Sequence, residues 1–219
     1  SLIENYNEGI SILRDQIQKN DNKNDYDFTN NMGFFLLKVE EYEEAIEYLN
    51  AAIKINPEAP SAYSNLSEIY LVLRNFDLAS SYIDIALEKN KKINSNIDNY
   101  FYSISIWADI NTAKGFNEKT VEFFLEILNE EFNSNIFYLL STINPSSIAG
   151  SIVNEAEKLI VNNNIKFKTK IEKFHKVIPL YFGLAYFYQK KNIEKSEKNF
   201  HLANSEIFNI LRYNSFSYQ

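Results

Sequence analysis

The side chains able to do chemistry in this chain are few and scattered. There is no cysteine, so disulfides, thiolate zinc sites, iron–sulfur clusters and cysteine nucleophiles are excluded together. The two histidines, His175 and His201, lie in no metal-ligand spacing, and each reads as a satisfied or solvent-facing side chain. The five glycines, Gly9, Gly33, Gly115, Gly150 and Gly183, are never clustered, so a phosphate-cradling loop or a nucleophile elbow has no material. Glu118, Glu122 and Glu126 share one face of a helix at four-residue spacing, a stripe that suits a solvated face better than a grip on a basic peptide. A general acid and base need opposed environments, and nothing in the sequence supplies them. The expectation is a protein without catalytic activity, resident metal or cofactor.

Charge narrows the partners. The net charge of −7 argues against nucleic acid, which needs a basic face that releases counterions. Residues 1–110 hold 18 acidic and 9 basic side chains, whereas 111–219 hold 11 and 13, so the chain is expected to be electrically polar. The basic stretch Lys166 to Lys198 spreads over more than one helix and reads as solvated. No apolar run is long enough to span a bilayer, so no direct membrane insertion is expected. The sequence opens on Ser1, and a longer native chain with an N-terminal segment is left open; the compartment expected is the cytoplasm.

The elements that must position these residues are helices. Gly and Pro together account for only 9 of 219 residues, while 45% are hydrophobic and 15% aromatic, enough to bury a core in an all-α chain. The stretch Tyr42 to Ile55 has Tyr42, Ala45, Ile46, Leu49, Ala52 and Ile53 on one stripe, and Glu40, Glu41, Glu43 and Glu44 crowd the start, where carboxylates meet the positive end of the helix dipole. Pro57 stops that helix and Pro60 is placed in the first turn of the next.

Two adjacent windows of equal length, 26–59 and 60–93, are similar to each other. Met32, Gly33 and Leu36 precede Ala45, Leu49, Ala52 and Pro57 in the first; Leu66, Ser67 and Tyr70 precede Ala79, Ile83 and Ala86 in the second, with Tyr63 as a further aromatic. On these residues and that period the chain resembles the tetratricopeptide repeat (TPR) family. Leu180, Gly183, Phe187, Ser196, Phe200 and Ala203 follow the same order near the C-terminus. The resemblance implies an all-α, right-handed α-solenoid of antiparallel helix pairs, with 10 to 11 helices in a single domain over 1–219. Its parts are expected to be a capping helix and linker (1–25), repeat 1 (26–59), repeat 2 (60–93), a degenerate repeat 3 (94–132), a divergent helix pair (133–165), and a repeat-like pair with a C-terminal capping helix (166–219). Within these, helices are expected at Leu2 to Gln18, Asn99 to Ala113 with Trp107 inward, Lys119 to Leu128, Ile136 to Ile143 and Ser147 to Val161. Pro179 is expected to break or start a helix, leaving Lys166 to His175 as a separate segment before Ile193 to Leu211.

In the family this chain resembles, the first helix of each pair lines a concave groove that holds extended peptides or a partner's helix. That implies a partner-binding groove at Asn30, Phe34, Leu37, Lys38, Ser64, Asn65, Glu68 and Leu71. The asparagines suit a peptide backbone and the apolar residues suit side-chain contact. A subset of the family clamps the C-terminal carboxylate of heat-shock chaperones with Lys, Arg and Asn. Asn65 matches one clamp residue, but Asn30 and Phe34 stand where that subset has Lys and Asn, and Ser95 and Asn99 where it has further basic residues, so that clamp is not expected. The aromatic tracts 99–107 and 180–188 exceed what a thin core needs, and core packing is weighed against rings that face a ligand. The implied function is a non-catalytic protein–protein interaction module, an adaptor or scaffold that binds a peptide segment or helix of a partner. The alternative is a ligand- or peptide-sensing regulatory domain of a larger signalling protein, and self-association is a third role.

Overall fold

A computed structural model describes residues 2–19, 25–93, 97–161 and 170–215. Eleven α-helices run through the described residues: α1 (Leu2–Lys19), α2 (Tyr26–Lys38), α3 (Tyr42–Ile55), α4 (Ser61–Val72), α5 (Phe76–Lys92), α6 (Ile97–Ala113), α7 (Asn117–Glu130), α8 (Ser134–Ile143), α9 (Gly150–Val161), α10 (Lys170–Tyr188) and α11 (Ile193–Ser215). No strand occurs among the described residues, so the chain has the all-α, TPR-like repeat architecture implied by its sequence. It divides into two compact units, Ser1–Gly115 and Phe116–Gln219.

Unit 1 is built from α1, two matching helix pairs and α6. Asp25 caps α2 by accepting from the Phe28 amide at 3.0 Å, and Asn75 caps α5 by accepting from the Leu78 amide at 3.2 Å. Both pairs turn in the same way. Glu40 and Arg74, one repeat period apart, take φ of 66° and 59°, and the amides that follow them reach back to Leu36 O at 2.9 Å and Tyr70 O at 2.8 Å. These are two copies of one Schellman turn, each made without glycine. Pro60 is the residue before α4, with helical φ and ψ, one position earlier than the sequence suggests.

Small residues set how closely the paired helices cross. At Gly33 an added Cβ would lie 2.6 Å from Leu49 Cγ and 3.3 Å from the Ala45 carbonyl oxygen, so α2 and α3 approach closely only because no side chain is there. Ser67, one repeat later, fits at the same crossing because its hydroxyl donates to the Ala79 carbonyl at 2.8 Å. One core cluster joins Ile10, Met32, Leu36, Ala45, Leu49, Ala52, Ala62, Leu66 and Ile69 across α1 to α4. A second joins Tyr63, Ala79, Ile83, Ala86, Ile106 and Ile110, with half-buried Trp107 packed against it as its inward placement requires. Fully burying a large aliphatic side chain contributes about 1.5–3 kcal/mol, so these clusters supply the main driving force of the unit.

Unit 2 packs α10 between α8 and α11, with α7 against α8 and α9 against α10. Its core includes Phe124, Ile136, Phe137, Leu140, Ile152, Ala156, Leu184 and Ala185. Gly183 lets α10 close on α8, since a Cβ there would meet the Phe137 ring at 2.6 Å, and Ser196 donates to the Ala185 carbonyl at 2.9 Å between α11 and α10.

Two expectations for this unit are corrected. Pro179 lies inside α10 and neither starts nor breaks it; buried Ile178, Leu180 and Leu184 hold the helix through the missing amide bond, so there is no separate segment at 170–175, while 166–169 lie outside the described residues. The helix expected from Ser147 begins at Gly150. The Ser147 hydroxyl instead donates back to the Asn144 carbonyl at 2.8 Å and closes a 3-10 turn over Pro145–Ser147.

Candidate functional site

The repeat period places one row of side chains on a common face of α2, α4 and α6. Phe34, Glu68 and Tyr102 follow one another at that period, each at the same position of its own helix pair. Tyr102 is not among the expected groove residues, and that unbroken step, together with the aromatic surplus of 99–107, is the sequence signal that marks it.

A polar network ties the three helices together on this face. Its base is buried: Asn65 Nδ2 donates to Asn30 Oδ1 at 3.1 Å, with the residues 3% and 8% exposed. Above it the Tyr102 hydroxyl sits between Asn65 Oδ1 at 3.2 Å and Glu68 Oε2, to which it also donates. Lys38 Nζ completes the network with a two-pronged contact to Glu68, 2.7 Å to Oε1 and 2.8 Å to Oε2. That ammonium also lies 5.1 Å from the centroid of the Phe34 ring and 5.8 Å from that of Tyr102. Phe34 is braced in turn by Tyr6 of α1, whose ring meets it edge-on at 6.2 Å.

The electrostatics follow from this placement. Enclosure of the hydroxyl, and then the adjacent Glu68 carboxylate, push the Tyr102 phenol far above its ordinary value, so it remains a proton donor. Asp109, further along α6, has its carboxyl held above the usual carboxylate range by partial burial first and by the Glu68 charge second. Among the described residues no three His, Asp or Glu side chains gather as a metal site, and no helix is long and apolar enough to cross a membrane.

The expected groove residues divide into two sets. Phe34, Lys38 and Glu68 share the open face, with the Lys38 and Glu68 side chains each 24% exposed. Asn30 and Asn65 lie beneath it and bind each other, not solvent. Leu37 belongs to the first core cluster, and half-buried Leu71 packs against the second. Ser64 is fully buried where α6 covers α4, its hydroxyl 2.7 Å from that of Ser103, which also accepts from Asn90 Nδ2 at 3.2 Å. Leu37 and Ser64 thus offer no surface to a partner: Leu37 turns into the core, and Ser64, one turn before Glu68 on the same side of α4, is covered by α6. Of the chaperone-clamp positions, Ser95 and the Asn99 side chain lie outside the described residues.

The other sequence features are spread over the surface. Glu118, Glu122 and Glu126 are all exposed along α7, and His201 is exposed on α11; the His175 side chain lies outside the described residues. In the basic stretch, Lys195 pairs with Glu157 at 3.2 Å and Lys191 covers the Phe187 ring at 3.8 Å. From the tract 180–188, Phe182 and Tyr186 pack with Tyr138 of α8 and Phe200 of α11 in one ring cluster of unit 2.

Comparison with known proteins bears on the repeats. Residues 36–72, covering the end of α2, all of α3 and α4, match the TPR repeat family. The chain is also similar to the Sol locus transcriptional repressor of Clostridium acetobutylicum, 31% identical over 115 residues, an alignment that covers 48% of this chain and 34% of the repressor. The matched part thus spans about a third of that relative's length.

Proposed function

We propose that this chain, which carries TPR-type helical repeats, is a non-catalytic protein-interaction module that receives a peptide segment or helix of another protein on the shared face of α2, α4 and α6. One observation carries the reading. Lys38, Glu68 and Tyr102 stand at the surface on a buried Asn30–Asn65 base, already oriented by hydrogen bonds, with the Phe34 ring beside them. Side chains fixed before association lose less entropy when a partner arrives, which favours binding over a loose polar surface. The net negative charge directs the reading away from nucleic acid, and the cytoplasm is the compartment that fits an adaptor of this kind.

The test is affinity capture from source-cell lysate with the full chain and with a Phe34→Ala/Glu68→Gln/Tyr102→Ala variant, each checked for helical content. A partner lost with the variant supports the reading. A partner retained at full yield removes this face from it.

The similarity to a transcriptional repressor favours a second reading: the chain is the ligand- or peptide-sensing part of a larger regulator. On that reading, peptides concentrated from the culture medium raise the melting temperature and change the small-angle scattering curve. Unchanged curves at saturating peptide rule it out. Self-association is tested by sedimentation, where a strict monomer at high concentration ends that role.

A further inference from the structure

The Lys38 ammonium occupies a cage. Around it stand both carboxylate oxygens of Glu68 and the rings of Phe34 and Tyr102. A carboxylate flanked by aromatic faces is a set of groups suited to an alkylammonium or guanidinium ion. The cage is fixed from below, since Tyr102 shares its one hydroxyl proton between Glu68 Oε2 and Asn65 Oδ1, and Asn65 is itself bound to Asn30. The groups that form it come from three helices, whereas its occupant comes from the end of one long flexible side chain.

Two features make that occupant replaceable. Lys38 lies in the last turn of α2, where a cation is also favoured by the terminal carbonyls, so it has a second resting place. The ion pair keeps 24% exposure on each side and is reachable from solvent. Charge then sets the sign of an incoming group. Among the described residues, Glu68 and Asp109 on this face, with Asp27 in the first turn of α2, outnumber Lys38, and the charge that acts on Asp109 is the Glu68 carboxylate. A cation arriving here lowers the surplus, while an anion would add to it.

We propose that this cage is a cation subsite in which Lys38 is a resident stand-in, and that the segment docked on the face presents a lysine or arginine side chain that takes its place against Glu68. The proposal rests on the docking reading above and adds the chemistry of the partner. It also gives Lys38 a role in specificity: a segment without a basic side chain leaves the cage closed.

The probes are two short, capped, otherwise identical peptides with lysine or norleucine at the centre, titrated into the full-length chain and followed by ring-proton chemical shifts. Lys38→Met empties the cage and keeps an apolar stem; it is expected to bind the lysine peptide about tenfold more tightly than the unsubstituted chain. Lys38→Met/Glu68→Gln is expected to lose that gain, Lys38→Arg to behave as the unsubstituted chain, and the norleucine peptide to discriminate among none of them. Equal affinity of the lysine peptide for the unsubstituted chain and Lys38→Met, or no binding to either, overturns the subsite. Thermal melts of each variant separate lost folding from lost binding. A captured partner whose yield ignores Glu68→Gln would leave the docking face standing and overturn the subsite alone; selective lysine-peptide binding with no captured partner supports the subsite and leaves the docking reading to fail by itself.

Discussion

Asn65 donates through its side-chain amide to the Asn30 side-chain oxygen at 3.1 Å, joining the first helices of two successive repeats beneath the surface. Because both residues are buried, removing one partner leaves the other's polar atom without water to replace it, which costs about 1–3 kcal/mol. Asn65→Ala is expected to destabilise the chain by roughly that amount. Asn30→Ala/Asn65→Ala is expected to lose less than the sum of the single changes, because the second substitution removes a group already orphaned. Urea denaturation of the four proteins checks this, and strictly additive losses would mean that the two amides act independently.

The matching turns make a prediction of opposite sign. Glu40 and Arg74 hold left-handed backbone, φ 66° and 59°, where an L side chain is strained by roughly 1–2 kcal/mol. Replacing either with glycine removes that strain but gives the unfolded chain more freedom, so Glu40→Gly and Arg74→Gly are each expected to stabilise by about 0.5–1 kcal/mol. Gly115, φ 81°, with open space around its Cα, is the converse case: Gly115→Ala meets no neighbour yet is expected to lose about 1 kcal/mol through backbone strain alone. Chemical denaturation midpoints of the three variants decide the signs.

Asp109 gives the pH dependence. Its carboxyl is raised, by partial burial first and the Glu68 charge second, so the folded chain holds this proton over a range where the unfolded chain has lost it. Stability from this group is therefore fully present below the usual carboxylate range and declines as pH rises from that range through the raised folded value. Asp109→Asn removes the contribution. The variant's urea midpoint, followed from acid to neutral pH, is expected to fall less than that of the unsubstituted chain, and parallel curves would contradict the assignment.

Much of unit 1 could be read in the sequence because its packing is periodic. Gly33 with Ala45, and Ser67 with Ala79, sit one repeat period apart at the two helix crossings, and only small residues fit there. The site was less legible. A helical stripe identifies which residues share a side, but not which of them the next helix will cover: α6 buries Ser64 through Ser103, and Leu37 turns into the core. Asn30 and Asn65 look like peptide-binding amides until their mutual hydrogen bond is seen. Tyr102 was within reach of the repeat step, yet the Lys38–Glu68 contact, which runs diagonally between α2 and α4, corresponds to no repeat spacing. Pro179 misled for a different reason, since local backbone chemistry was outweighed by the buried residues on either side of it.

Whether a partner lies on the face shared by α2, α4 and α6 is decided by site-specific photo-crosslinking in the source cell. A photoreactive residue is placed in turn at Asn31, Ser61 and Ser105 on that face, and at Glu47 and Ile85 on the exposed sides of α3 and α5. One protein is expected to crosslink from all three positions on the face and from neither control. The same protein captured from Glu47 or Ile85, with none from Asn31, Ser61 and Ser105, would contradict it.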